Sequence, residues 1–335
     1  MKKLEILIGL CLCLSCSLSM DTEDEGLCDS VFSIRGTTKV TGASDASETN
    51  VQRWAVMLFD AGNPAAWYYA TSDGSADITC TVRKGRPYRA FAIVNYPPDF
   101  SPSLIQGEGH LLQFSSTLSS NTDDALVMFG SKQLPVLPSG TTSIPLQRLC
   151  SKVAINKISV SMEDPVYAAQ EFTLNALYLT NVYTCTSFVC DHYEPDSDPN
   201  LWYNARGWHG SGNVRTLDNL VGDRGLGVSI GNGNSYQTQH VFYAYPNACE
   251  EDSTDEHWSP RHTRLVIEAT LGARRYYYTI TLPAMIRNNC YTINEASIRK
   301  PGSLDPEMII PGIVDAVVTI TEDTWDSEYY TSEES

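Results

Sequence analysis

Positive charge is scarce in this chain of 335 residues: 23 Lys and Arg stand against 40 Asp and Glu, for a formal charge of −17. Such a surface repels nucleic acid and anionic lipid headgroups, so neither is expected as a partner. Long apolar runs are missing as well. The run at the N-terminus, Ile6 to Leu14, has nine residues, where a helix needs ~20 to cross a ~30 Å bilayer core. The marks of catalysis are missing too. There is no HExxH, no P-loop and no GxGxxG opening a helix. Among the cysteines beyond Cys16 there is no CxxC and no Cys/His pair at zinc spacing. Six histidines are scattered, and His257 and His262 around Trp258 read as part of a solvated acidic loop. Asp196-Ser197-Asp198-Pro199-Asn200 alternates oxygen ligands as calcium loops do, but Leu201 stands where that pattern requires Gly. Neither an enzyme, a cofactor nor a metal site is expected.

What is present begins with Lys2 and Lys3, ahead of the apolar run, and Leu14-Ser15-Cys16-Ser17 behind it. The run fits the h-region of a secretory signal. A small residue before a cysteine at that place resembles a bacterial lipobox, with Cys13 where lipoboxes favour Leu. The resemblance implies cleavage before Cys16, acylation of its thiol and anchoring in the outer membrane. Residues 1–15 are thus read as a lipoprotein signal peptide. Residues 16–26 are read as an acidic tether, with too little apolar surface to fold alone. Loss of Lys2, Lys3 and Glu5 with the signal leaves a mature charge near −18. Seven cysteines lie beyond Cys16, an odd number, so at least one is free or pairs with another chain. Cys185 and Cys190 are close enough in sequence to staple a local loop.

Period-two alternation dominates the rest. Leu265, Ile267, Ala269 and Leu271 alternate with Arg264, Glu268 and Thr270, a half-buried strand. Tyr276 to Leu282 continues it after the turn Gly272-Ala273-Arg274-Arg275, giving a hairpin. Ile78, Cys80 and Val82 form one face of another strand, and Phe91 to Val94 and Val153 to Ile158 are further ones. Trp54 to Phe59 is apolar on both faces, as in a strand covered on both sides. Helical periodicity is confined to short stretches around Ser101 to Leu112 and Asp164 to Gln170. The fold class is all-β, of the sandwich type, with minor helix. A Pro/Gly-rich crossing segment from Leu134 to Gly140 suggests a boundary near Pro145, with an N-terminal domain at 27–146 and a C-terminal domain at 147–335. The Gly-rich stretch Tyr193 to Gln239 reads as long loops. Its aromatics Trp202, Tyr203, Trp208 and Tyr236 could stack on sugars or cap the core.

Several motifs then occur in order: Phe242-Tyr243-Ala244-Tyr245-Pro246-Asn247, Thr263 to Glu268, Tyr276-Tyr277-Tyr278, Arg287-Asn288-Asn289-Cys290-Tyr291-Thr292-Ile293 and Ile298 to Ser303. With Arg148-Leu149-Cys150-Ser151-Lys152-Val153 and the lipobox, they resemble the fimbrillin family of Bacteroidetes, the type V pilins, over about two-thirds of the chain. The resemblance is greatest to the family's minor-fimbria major-subunit branch. It implies two transthyretin-like β-sandwich domains, lipoprotein export, proteolytic removal of an N-terminal strand after a basic residue, and polymerisation by strand exchange. Its implied partners are copies of the same chain and other fimbrial subunits, together with host or bacterial surface receptors; a tip or surface adhesin is the alternative role. On this sequence the cut falls between Arg35 and Gly36, after the strand start Val31-Phe32-Ser33-Ile34, with Lys39 as the next candidate. At the other end Val314, Ala316, Val318 and Ile320 alternate with Asp315, Val317, Thr319 and Thr321. That apolar face fits either a strand donated to a neighbour or an ordinary last strand.

Overall fold

The computed structural model describes residues 26–33, 50–63, 66–74, 76–122, 124–135, 141–189, 201–203, 221–252 and 261–321. The first half holds β1 (Leu27–Ser33), β2 (Arg53–Asp60), β3 (Trp67–Asp73), β4 (Ile78–Arg83), β5 (Tyr88–Val94), β6 (Ser115–Thr117), β7 (Met128–Leu134), β8 (Thr141–Ser143) and β9 (Gln147–Arg148). Next come β10 (Ser151–Ile155), β11 (Ile158–Val160), β12 (Phe172–Thr180), β13 (Val182–Tyr183), β14 (Cys185–Ser187) and β15 (Trp202–Tyr203). The chain closes with β16 (Gly222–Ile230), β17 (Ser235–Tyr236), β18 (His240–Ala244), β19 (Arg264–Leu271), β20 (Arg274–Thr281), β21 (Cys290–Ile298) and β22 (Val314–Thr321). Among the described residues the helices named are single turns at Pro102–Leu104, Glu108–Leu111, Leu118–Ser120 and Pro165–Ala168, the last capped by the Asp164 side chain. Among the described residues no helix is long and apolar enough to cross a membrane.

Two β-sandwiches result. In the first, a five-stranded antiparallel sheet β3-β2-β5-β7-β9 packs on a three-stranded sheet β4-β1-β8. Alternation along β2 decides what goes where. Trp54, Val56 and Leu58 face Phe32, Ile78, Cys80 and Val82. Met57 and Phe59 face the other way, with Phe91, Phe129 and Phe188. The centroids of Phe59–Phe91, Phe91–Phe129 and Phe129–Phe188 lie 5.6, 5.8 and 6.1 Å apart, so aromatic contacts carry this second core across the sheet. The five-stranded sheet is therefore packed on both faces, as the two-sided apolar run of β2 requires. Gln147 and Arg148 pair with β7 at its edge, and β14 pairs with β6, so chain crosses between the halves.

In the second sandwich the sheet β16-β12-β19-β20 faces β17-β11-β21-β10-β18, with β22 on the free side of β21. β21 pairs in parallel with β10 through residues 290–293 and with β11 through 296–298, and a bulge between Ile293 and Ala296 joins the two registers. β12 shifts register between Leu174 and Ala176. That shift restores phase, so Phe172, Leu174, Leu177 and Leu179 all reach the main core, while Ala176 and Tyr178 pack outward against Val266.

Several sequence expectations need correction. β19 is buried along nearly its whole length, not on one face. Arg264 and Glu268, which look like solvent-side positions, are buried because Arg264 pairs with Asp252 and Glu307 and Glu268 pairs with Arg275. The hairpin turn is two residues, not four: Leu271 pairs with Arg274, and Gly272 takes φ +63°. The Gly-rich stretch is only partly loop. Residues 222–230 form β16 against β12, and Gly222 lies where a Cβ would come within 2.3 Å of Tyr178 Cβ. The glycine there permits strand packing instead of breaking it. Trp202 is fully buried, its ring centroid 3.9 Å from that of Tyr183, so it caps the core and cannot stack on a sugar. The calcium-like segment 196–200, Trp208, His257 and Cys190 lie outside the described residues.

Candidate functional site: the terminal strands

β1 is the middle strand of its sheet. It pairs antiparallel with β4 from Leu27↔Arg83 to Phe32↔Ile78 and parallel with β8 from Val31↔Thr141 to Ser33↔Ser143. Its alternation sends Cys28, Ser30 and Phe32 toward the core, where Phe32 is fully buried. The fit is imperfect. The hydroxyls of Ser30, Ser33 and Thr142 are buried with no hydrogen-bond partner among the described residues. Each such group costs ~1–3 kcal/mol of lost hydration. Subtracting β1 would part β4 from β8 and uncover Ile78, Cys80 and Val82 over Trp54, Val56 and Leu58. Burial, and secondarily the Asp29 carboxylate, push the Cys80 thiol up to about 11, so at neutral pH it is an apolar element of that floor.

β22 is an edge strand. It pairs antiparallel with β21, from Ile298↔Val314 to Cys290↔Thr321. Val314, Ala316 and Val318 are half-buried against the core; Asp315 and Thr319 are exposed. Ile320 is 45% exposed and Val317 76% exposed. In the isolated chain the segment is thus a last strand that, among the described residues, pairs with β21 alone. Arg299 Nε holds Asp315 at 3.1 Å. Cys16, Arg35, Gly36 and Lys39 lie outside the described residues.

Two polar groupings lie elsewhere. Tyr236 Oη is 2.9 Å from His240 Nε2, and His240 Nδ1 is 2.5 Å from Asp223 Oδ2. This relay joins β17 and β18 to β16 on the opposite sheet and engages Tyr236 within the fold. The second grouping went unnoticed in the sequence. The Cys249 sulfur, an Asp252 carboxylate oxygen and a His262 ring nitrogen lie within 4.8 Å of one another. Cys249-x-x-Asp252 and a later His262 match no familiar spacing, so only the fold brings them together.

No family model matches the chain, and no curated protein does. Solved structures do. A candidate cell adhesion protein from Bacteroides eggerthii superposes with TM-score 0.65 at 18% identity, over 88% of this chain and 95% of that one. A fimbrilin from Porphyromonas gingivalis gives 0.63 at 12% identity, over 88% and 97%. A tip fimbrial protein from the same organism, with its C-terminus truncated, gives 0.54 at 13% identity, over 88% and 100%. At these identities the likeness is one of fold.

Proposed function

We propose that this chain, which has the fold of the fimbrillins, is a structural subunit of a surface fimbria. In this reading it is exported as a lipoprotein through Cys16 and held at the outer membrane until assembly. A cut after Arg35 frees β1, and the C-terminal strand of a neighbouring subunit fills the groove left between β4 and β8. Residues 27–146 form the unit that receives the strand and residues 147–335 the unit that donates it. The partners are other copies of the chain and other fimbrial subunits.

One observation carries the reading: a terminal strand occupies the middle of a sheet. A terminal strand at an edge could leave and expose little. β1 leaves behind two strand edges and an apolar floor. Its own inward set, Cys28, Ser30 and Phe32, brings one orphan hydroxyl, that of Ser30, into that floor. The set Val314, Ala316, Val318 and Ile320 would bring none, so exchange replaces polar burial with apolar burial. Electron microscopy of purified surface filaments with an antibody to this chain tests the role. Labelling along the shaft is expected. Labelling at tips alone would favour a terminal adhesin, and filaments without label would overturn both.

A further inference from the structure

The stems on either side of residues 253–260 are held together by Asn247. Its side-chain Nδ2 donates to the carbonyl of Arg261 at 2.8 Å and to Thr263 Oγ1 at 3.1 Å, and its Oδ1 accepts from the Cys249 amide at 3.1 Å. Its backbone is bridged to Met285 in both directions. Asn181, in the left-handed region at φ +57°, donates to the His262 carbonyl at 3.1 Å and fixes the second stem. Three side chains of different chemistry converge on this frame: Cys249, which is 4% exposed, Asp252 and His262. His262 Nδ1 lies 3.1 Å from Asp252 Oδ1. The other carboxylate oxygen of Asp252 is occupied by Arg264, which also binds Glu307 Oε2 at 3.0 Å.

We propose that Cys249, Asp252 and His262 form a site for a thiophilic divalent metal of the zinc class, clipping the two stems together, with water completing the coordination. Thiolate, imidazole and carboxylate are the donors zinc takes, at ~2.0–2.3 Å. Tetrahedral bonds of that length set donor atoms about 3.3–3.6 Å apart. The His262–Asp252 separation is already near this, and the full set within 4.8 Å needs a contraction of about 1 Å. The outer contacts are in place. Arg264 takes the Asp252 oxygen that would face away from the metal, as carboxylate ligands require. Charge also balances. The Cys249 thiolate, Asp252 and Glu307 carry three negative charges against Arg264, and a dication with loss of the thiol proton to solvent brings the group to neutrality.

Cobalt(II) is the probe. The full chain, reduced and freed of metal by a chelator, is titrated with Co2+ and the product is challenged with Zn2+. One equivalent should give a thiolate-to-cobalt charge-transfer band and tetrahedral visible bands, both erased by Zn2+. Cys249→Ser should remove the charge-transfer band. His262→Gln and Asp252→Asn should each weaken Co2+ binding at least about tenfold, with far-ultraviolet circular dichroism showing that every variant is folded. No charge-transfer band in the parent chain would overturn the proposal. So would a band that survives Cys249→Ser, or an affinity unchanged by His262→Gln.

Discussion

Two substitutions in β1 should move the same equilibrium in opposite directions. Phe32 is fully buried in the first core, and truncating a buried Phe to Ala costs ~3–5 kcal/mol. Ser30, two residues earlier on the same face, buries a hydroxyl with no partner. Ser30→Ala removes a group whose desolvation costs ~1–3 kcal/mol and leaves the strand's shape nearly unchanged. With tenfold per ~1.4 kcal/mol, Ser30→Ala should lower the population of chains with a vacated groove about 5- to 150-fold. Phe32→Ala should raise it about 10²- to 10⁴-fold. The assay cuts the purified chain in vitro after Arg35, then follows two signals: loss of the N-terminal fragment on size exclusion, and capture of a labelled peptide of residues 314–321. Fragment release and peptide capture should be faster than parent for Phe32→Ala and slower for Ser30→Ala. Equal acceleration by both would show that the Ser30 hydroxyl is well bonded and that the poor fit of β1 is not real. Peptide capture indifferent to both would show that β1 does not guard the groove.

Val318→Asp should give a chain that reaches the surface but builds no filaments, because the half-buried position would place an unpaired carboxylate in an apolar groove at a cost of several kcal/mol. Thr319→Asp, on the exposed face, should assemble normally; electron microscopy and ladders on unheated gels read both. Cys16→Ala should move the protein out of the membrane fraction, and full-length mutant still pelleting with membranes would refute lipidation at that residue. N-terminal sequencing of polymerised subunits should start at Gly36; a start at residue 40 would move the cut to Lys39, and a start at Cys16 throughout would contradict removal of β1.

Much of the architecture was legible because its signals are local. The two-sided apolar run of β2 and the clean alternation of β4 each needed only consecutive side chains, and both hold in the structure. What escaped notice depended on distant partners. Arg264 and Glu268 look like solvent positions until Asp252, Glu307 and Arg275 are brought to them. β16 looks like loop because glycine ordinarily weakens strands, and the close approach of Tyr178 that favours Gly222 is a tertiary fact. The ends of the chain divide the same way. The alternating face of β22 can be counted off the sequence, but that β1 lies in the middle of a sheet follows only from its pairing with β8. The Cys249–Asp252–His262 cluster was beyond reach for a further reason. Asn247, which sets the two stems side by side, closes the motif Phe242–Asn247, and nothing in that motif shows that its side chain reaches Arg261 and Thr263.

The double coverage of the five-stranded sheet also limits how the chain can diversify. Of β2 only Arg53 escapes full burial, and of β5 only Arg89. A strand with a core on each side offers no position where a new charge or a bulky group can be added without disturbing one of them. The edge strands are different. On β3 and β16 the exposed positions recur at every second residue, and on β22 Asp315, Val317 and Thr319 all stand in water. Variants of this protein collected from many sources should therefore differ along β3, β16 and the outer face of β22, while β2 and β5 stay nearly constant.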